Sequence, residues 1–107
     1  MAATGQSRRE MLEGFVASNP NDAFARYGLA MECVNQGDHE AAVQHFRQLL
    51  SAHPDYVAGY YHYGQLLAML ARVAEARDIL TQGMAAAQKV GNTHAHDEME
   101  TALRELS

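Results

Sequence analysis

The stretch DAFARYGLAMECVNQGDHEAAVQHFRQLLSAHPD, residues 22–55, runs straight into YVAGYYHYGQLLAMLARVAEARDILTQGMAAAQK, residues 56–89, and the two are versions of one 34-residue unit. Laid one above the other, they pair Leu29 with Tyr63, Ala30 with Gly64, Cys33 with Leu67, Ala42 with Ala76, Phe46 with Leu80 and Leu50 with Met84. Large residues face large ones and small face small. Pro20 and Pro54 mark the same 34-residue spacing. A fixed period of this length signals a repeat architecture, in which each unit buries its apolar face only against its neighbours.

Within each unit the apolar residues recur at helical spacing in two blocks, separated by a short polar or breaking segment. Each unit is therefore a helix hairpin. In the first, the turn is NQGD: Gly37 can take the left-handed conformation that ends a helix, and Asp38 can cap the next one. In the second, the turn is LAR and has no glycine, so packing rather than local preference is expected to hold it.

These residues resemble the tetratricopeptide repeat family. Its first helix carries a large-x-x-Leu-Gly/Ala-x-x-Tyr pattern, and its second carries Ala-x-x-x-Phe-x-x-Ala before a Pro. The matching residues are Leu29, Ala30, Cys33, Ala42, Phe46 and Pro54, then Tyr60, Tyr63, Gly64, Leu67, Ala76, Leu80 and Gly83. Two positions depart from the pattern. Arg26 stands where a large aromatic is usual, and Gln88 replaces the proline between repeats, so the helix there is expected to run on to about Val90.

The flanks extend the scheme. Residues 7–18 align with a second repeat helix, placing Leu12 and Phe15 at the positions of Phe46 and Leu49, and Ser7 with Glu10 forms a capping box. Residues 93–106 carry an apolar stripe at Ala95, Met99, Ala102 or Leu103, and Leu106, as a capping helix would. The expectation is one all-α domain over residues 1–107, a right-handed α-solenoid of six antiparallel helices. Its parts are an N-terminal half-repeat helix at 7–18, repeats at 23–56 and 57–90, and the C-terminal cap at 93–106.

Composition narrows the function. Eight Lys and Arg against thirteen Asp and Glu leave a net charge of -5, which repels a phosphate backbone, so nucleic acid is not an expected partner. The opening residues lack the apolar core of a secretion signal, and YGQLLAMLA is too short to span a bilayer. No membrane is expected as a partner, and the location read from the sequence is cytoplasmic. Cys33 is the single cysteine; it excludes an intrachain disulfide and fits a reducing compartment.

The segment GDHEAAVQH, Gly37 to His45, looks most like chemistry, but its geometry argues otherwise. A zinc-protease helix needs histidines four residues apart, whereas His39 and His45 are six apart, about 120° off one another around a helix. His94 and His96, two apart, suit a strand better than a helix face. Cys33 lies on the core stripe, where a thiol acts as a small hydrophobe. No phosphate loop and no nucleophile elbow appears. The reading is of a protein that is not an enzyme, with no metal and no cofactor; a metal-dependent activity on His39, His94 or His96 is the least favoured alternative.

A second apolar stripe remains on the first repeat helix. Phe24, Tyr27, Met31 and Val34 lie roughly 120° from the core residues Leu29, Ala30 and Cys33. Their equivalents are Ala58, Tyr61, Gln65 and Ala68, with His62 at the edge. The resemblance implies that such a stripe faces a concave groove receiving a peptide of another protein. The expected peptide-binding residues are thus Phe24, Tyr27, Met31, Val34, Tyr61, His62 and Gln65. Two coverings are open for Phe24 and Tyr27: a partner, or the N-terminal helix folded over them as core. Some family members hold a carboxylate-ended tail with Lys, Asn and Arg; the matching positions here are Tyr27, Met31, His62, Asn92 and His96, so that clamp is not implied. The function expected is an adaptor that binds a peptide segment; the structural alternative is self-association as a homo-dimer.

Overall fold

The computed structural model describes residues 7–106, and among these the only regular elements are six α-helices. They are α1 (Arg8–Ser18), α2 (Ala23–Asn35), α3 (His39–Ala52), α4 (Val57–Met69), α5 (Val73–Lys89) and α6 (Thr93–Glu105). Their contacts divide the chain into two compact units, Met1–Ala52 and His53–Ser107. None of the described helices is long and apolar enough to cross a membrane.

The first unit is built from α1, α2 and α3. Ser7 starts α1 with a capping box: Glu10 donates its backbone N–H to Ser7 Oγ at 3.1 Å, and the Ser7 N–H is received by Glu10 Oε1 at 2.9 Å. Asp22 starts α2 by accepting the Ala25 N–H at 2.9 Å. The α2–α3 hairpin closes over Leu29, Ala30, Cys33, Ala42, Val43, Phe46 and Leu49, all at most 1% exposed.

Helix α1 lies against the Gly28 side of α2, where a Cβ would meet Leu12 Cδ2 at an ordinary 3.7 Å. Two arginines tie it down: Arg8 pairs with Glu32 at 3.3 Å, and Arg9 reaches Asp38 at 2.9 Å and Gln36 at 3.2 Å. The face of α1 turned inward is Arg9, Leu12 and Val16. Phe15, one residue and about 100° from Val16, falls outside it. The equivalence of Phe15 with Leu49 therefore fails in burial: Leu49 is fully buried and Phe15 is 48% exposed.

The second unit stacks α4, α5 and α6. Its core holds Tyr60, Tyr63, Leu66, Leu67, Ala76, Leu80, Ala87 and Met99. Two glycines permit close helix contact. A Cβ on Gly64 would stand 2.6 Å from Leu80 Cδ2, and one on Gly83 would stand 2.5 Å from Tyr60 Cβ and press on Met99 Sδ. Tyr60 donates its hydroxyl to the Pro54 carbonyl at 2.7 Å, so a buried aromatic pins the turn before α4.

Three of the five helix-to-helix turns, those after α2, α4 and α5, share one geometry. After α2, Gly37 is left-handed at φ 78°, its N–H bonds the Val34 carbonyl, and the Asp38 N–H bonds the Cys33 carbonyl. After α5, Gly91 at φ 76° does the same with Gln88, and Asn92 with Ala87. After α4 the left-handed residue is Ala71 at φ 62°, with Ala71 bonding Ala68 and Arg72 bonding Leu67. Each is the six-to-one and five-to-two pairing that ends a helix and satisfies its last carbonyls. The LAR turn thus takes the glycine-type conformation without a glycine, a strained choice for a residue with a Cβ.

Candidate functional site

In the first unit the segment GDHEAAVQH resolves into structure rather than chemistry. Asp38 Oδ1 accepts the Ala41 N–H at 3.3 Å and opens α3, and Ala42 is fully buried. The Arg9 guanidinium and that amide hold the Asp38 carboxyl below its usual range. His45 is half-buried, with Nδ1 3.3 Å from Arg26 Nη1. Burial first, and then the charges of Arg26 and Arg9, lower its pKa. Arg26, which occupies a position usually aromatic, instead bridges to α3 through His45 and Gln48. Cys33 is fully buried, and burial pushes its thiol pKa up, away from the thiolate a nucleophile needs.

The stripe on α2 lies outside this core. Phe24 is 74% exposed, while Tyr27, Met31 and Val34 are half-buried. Because α1 packs along the Gly28 side, it does not bury Phe24, and of the two coverings the core one fails for that residue. Tyr27 is partly enclosed, and burial raises its phenol pKa.

In the second unit α4 presents Tyr61 and His62 half-buried and Gln65 exposed. Tyr61 and His62 stand edge to face, ring centroids 5.4 Å apart and planes at 71°. They form one wall of a pocket of about 340 Å³, whose lining is completed by Val57 and Ala58 of α4 and by Asn92, His94, Ala95 and Glu98 at the start of α6. Asn92 Oδ1 accepts the Ala95 N–H at 3.0 Å and so caps α6. His94 Nε2 lies 3.6 Å from Glu98 Oε1. Burial lowers the His62 pKa, and the Glu98 carboxylate acts in the opposite direction. A second pocket of about 250 Å³ lies further along the same two helices, lined by Gln65 and Ala68 on α4, Leu80 on α5, and Ala102, Glu105 and Leu106 among others.

Tyr61 and His62 thus meet in one pocket, while Gln65 belongs to its neighbour. Asn92, Ala95, His94 and Glu98 were not among the residues expected from sequence. A signal for two of them existed: Asn92 and Ala95 lie 34 residues after Ala58 and Tyr61, so the period continues into α6. Nothing in the sequence singles out Glu98.

His39, His45 and His94 belong to no metal-binding group among the described residues. His96, Asp97 and Glu100 do bring ligand atoms within 4.8 Å of one another. All three are at least partly exposed, and they are already engaged: His96 Nδ1 is 3.1 Å from Asp97 Oδ1, and Glu100 pairs with Arg104 at 3.3 Å. What the second unit offers chemically is a partly apolar cleft with aromatic walls and one carboxylate, which suits holding a side chain.

Known proteins share this fold. The family model for the tetratricopeptide repeat matches residues 34–97. A TPR repeat-containing protein of Pseudomonas aeruginosa is 33% identical over 97 residues, which cover 91% of this chain and 92% of the relative. The solution structure of a tetratricopeptide repeat domain protein from Salinibacter ruber aligns with a TM-score of 0.79 at 34% identity, covering 82% of this chain and 89% of that one. A Bordetella parapertussis protein, also solved in solution, aligns at 0.80 with 28% identity, over 95% of this chain and 89% of its own. A 34-residue hairpin period, small residues where its helices cross and full-length relatives of the same description lead to one conclusion: the chain belongs to the tetratricopeptide repeat family, whose helix pairs generally serve as protein–protein interaction modules.

Proposed function

We propose that this protein is a non-enzymatic adaptor that binds a peptide segment of a partner, with the α4–α6 pocket as its principal contact. One observation carries the reading. The pocket is walled by Tyr61 and His62, half-buried side chains that the hairpin core does not require, and it stays open to solvent beside them. Aromatic residues at such a site give large contact area with few rotors to freeze. The α2 stripe of Phe24, Tyr27, Met31 and Val34 serves as a further contact surface. A buried reduced thiol and an acidic chain fit a cytoplasmic setting.

The test uses Tyr61→Ala and Tyr27→Ala, alone and together, with circular dichroism to establish that the helices persist. Quantitative affinity capture should lose a specific partner with Tyr61→Ala, and more completely with both. Capture unchanged by the double variant would overturn the site.

A second reading, self-association, is favoured by a different observation. In the first unit Phe24, Met11 and Phe15 are 74%, 55% and 48% exposed, large apolar side chains that a second copy could cover. Light scattering decides it. A dimer that Phe24→Ser dissociates supports this reading, and a monomer at high concentration rejects it.

A further inference from the structure

The occupant of the α4–α6 pocket can be specified further, resting on the reading of that pocket as a partner site. The pocket carries one carboxylate. Glu98 lines it with a side chain 45% exposed, and the basic group beside it is the His94 imidazole, Nε2 at 3.6 Å, rather than a lysine or arginine. Asp97 likewise stands beside a histidine, His96 at 3.1 Å, but does not line this pocket, while Asp55, Glu75 and Glu100 pair with Lys89 at 3.4 Å, Arg72 at 2.8 Å and Arg104 at 3.3 Å. With Glu98, the pocket is lined by the ring of Tyr61 and the apolar Val57, Ala58 and Ala95, which can receive a methylene stem.

We propose that the pocket receives a lysine or arginine side chain of the partner segment, its stem against Val57, Ala58, Tyr61 and Ala95 and its charged head at Glu98. One effect opposes this. The amino end of α6 opens at the same pocket and carries roughly half a positive charge, which favours an anion. Two features outweigh it. Glu98 carries a full negative charge, and Asn92 already receives the Ala95 N–H, so a first-turn donor is spent on the protein itself. The chain's net charge of -5 adds a field that draws in basic segments and repels acidic ones.

The experiment is an NMR titration of the full chain with three acetylated, amidated pentapeptides, Ala-Leu-X-Leu-Ala, where X is lysine, norleucine or glutamate. The lysine peptide should shift the backbone resonances of Ala58, Tyr61, Asn92, Ala95 and Glu98. It should bind about tenfold more tightly than the norleucine peptide, the scale of one partly exposed charge-assisted contact. Glu98→Gln should bring the lysine peptide to the norleucine level, and Glu98→Asp should restore part of the difference. If norleucine or glutamate binds as well as lysine at these residues, the cation specificity is wrong while the pocket stands as a partner site. If none of the peptides moves these resonances, both the specificity and the pocket assignment fail.

Discussion

Gly83→Ala adds a single methyl group at the point where three helices of the second unit meet. The new Cβ would stand 2.5 Å from Tyr60 Cβ and 3.1 Å from Tyr60 Cγ, besides pressing on Met99 Sδ. Methionine can swing aside, since its side chain is long and unbranched. Tyr60 Cβ cannot, because it is one bond from the α4 backbone and the ring is held by its hydroxyl bond to Pro54. Helix α4 must therefore back away from α5. Overpacking of this kind costs about 1–3 kcal/mol, and the need for backbone movement puts this case near the top. Alanine returns about 1 kcal/mol of helix propensity over glycine. The net loss is about 2 kcal/mol, or roughly 8–10 °C in Tm for a domain of this size.

Gly28→Ala is the internal control. Its Cβ meets only Leu12 Cδ2, at 3.7 Å, so the propensity gain is unopposed and Tm should rise by about 3–5 °C. Both are also glycine-to-alanine changes inside helices, so unfolded-state effects are closely matched. Thermal unfolding followed by circular dichroism gives both numbers. If Gly83→Ala is neutral or stabilising like Gly28→Ala, the close contact of α5 with Tyr60 is wrong.

Three further outcomes are expected. Ala71→Gly should stabilise the protein by about 1 kcal/mol, read by chemical denaturation, because φ 62° strains a residue with a Cβ and glycine adopts it freely. Stability should fall as pH drops below about 6.5, since His45 and His62 both have lowered pKa values through burial. The unfolded chain then binds more protons, so stability is full above the ordinary value of 6.5 and is lost as pH falls through the folded-state values; His45→Gln should flatten that slope in urea melts. Asn92→Ala should cost about 1 kcal/mol by removing the cap on α6, with hydrogen exchange accelerated first at Ala95.

The hairpins were legible in the sequence because the signals that define them are local. Gly37 and Asp38 announce a helix end and a helix start on adjacent residues, and the period then fixes the partner helix. The turn at Ala71 was not legible in the same way. Its conformation is imposed by closing the Ala71-to-Ala68 and Arg72-to-Leu67 bonds, and alanine carries no preference for it. Gly64 and Gly83 read as small residues at matching positions, yet only three-dimensional contact shows that Leu80 and Tyr60 occupy the space a side chain would need. Phe15 shows the limit of alignment: it shares a register position with Leu49, but α1 presents Arg9, Leu12 and Val16 to its neighbour and leaves Phe15 outside. Half of the pocket followed from the α4 stripe. The other half came from α6, where polar residues read as a solvated cap face, and nothing local distinguishes Glu98, which lines the pocket beside Tyr61, from Asp97, which does not.

The central claim is that the Tyr61 side of the second unit is where a partner chain lies. Site-specific photo-crosslinking in cells tests it most directly, with a benzophenone amino acid placed at Tyr61 or, as a comparison, at the exposed Gln82 of α5. A discrete crosslinked product from position 61, absent from position 82 and diminished by Glu98→Gln, is the predicted result. Equal products from both positions, or a product from position 82 alone, would contradict the account.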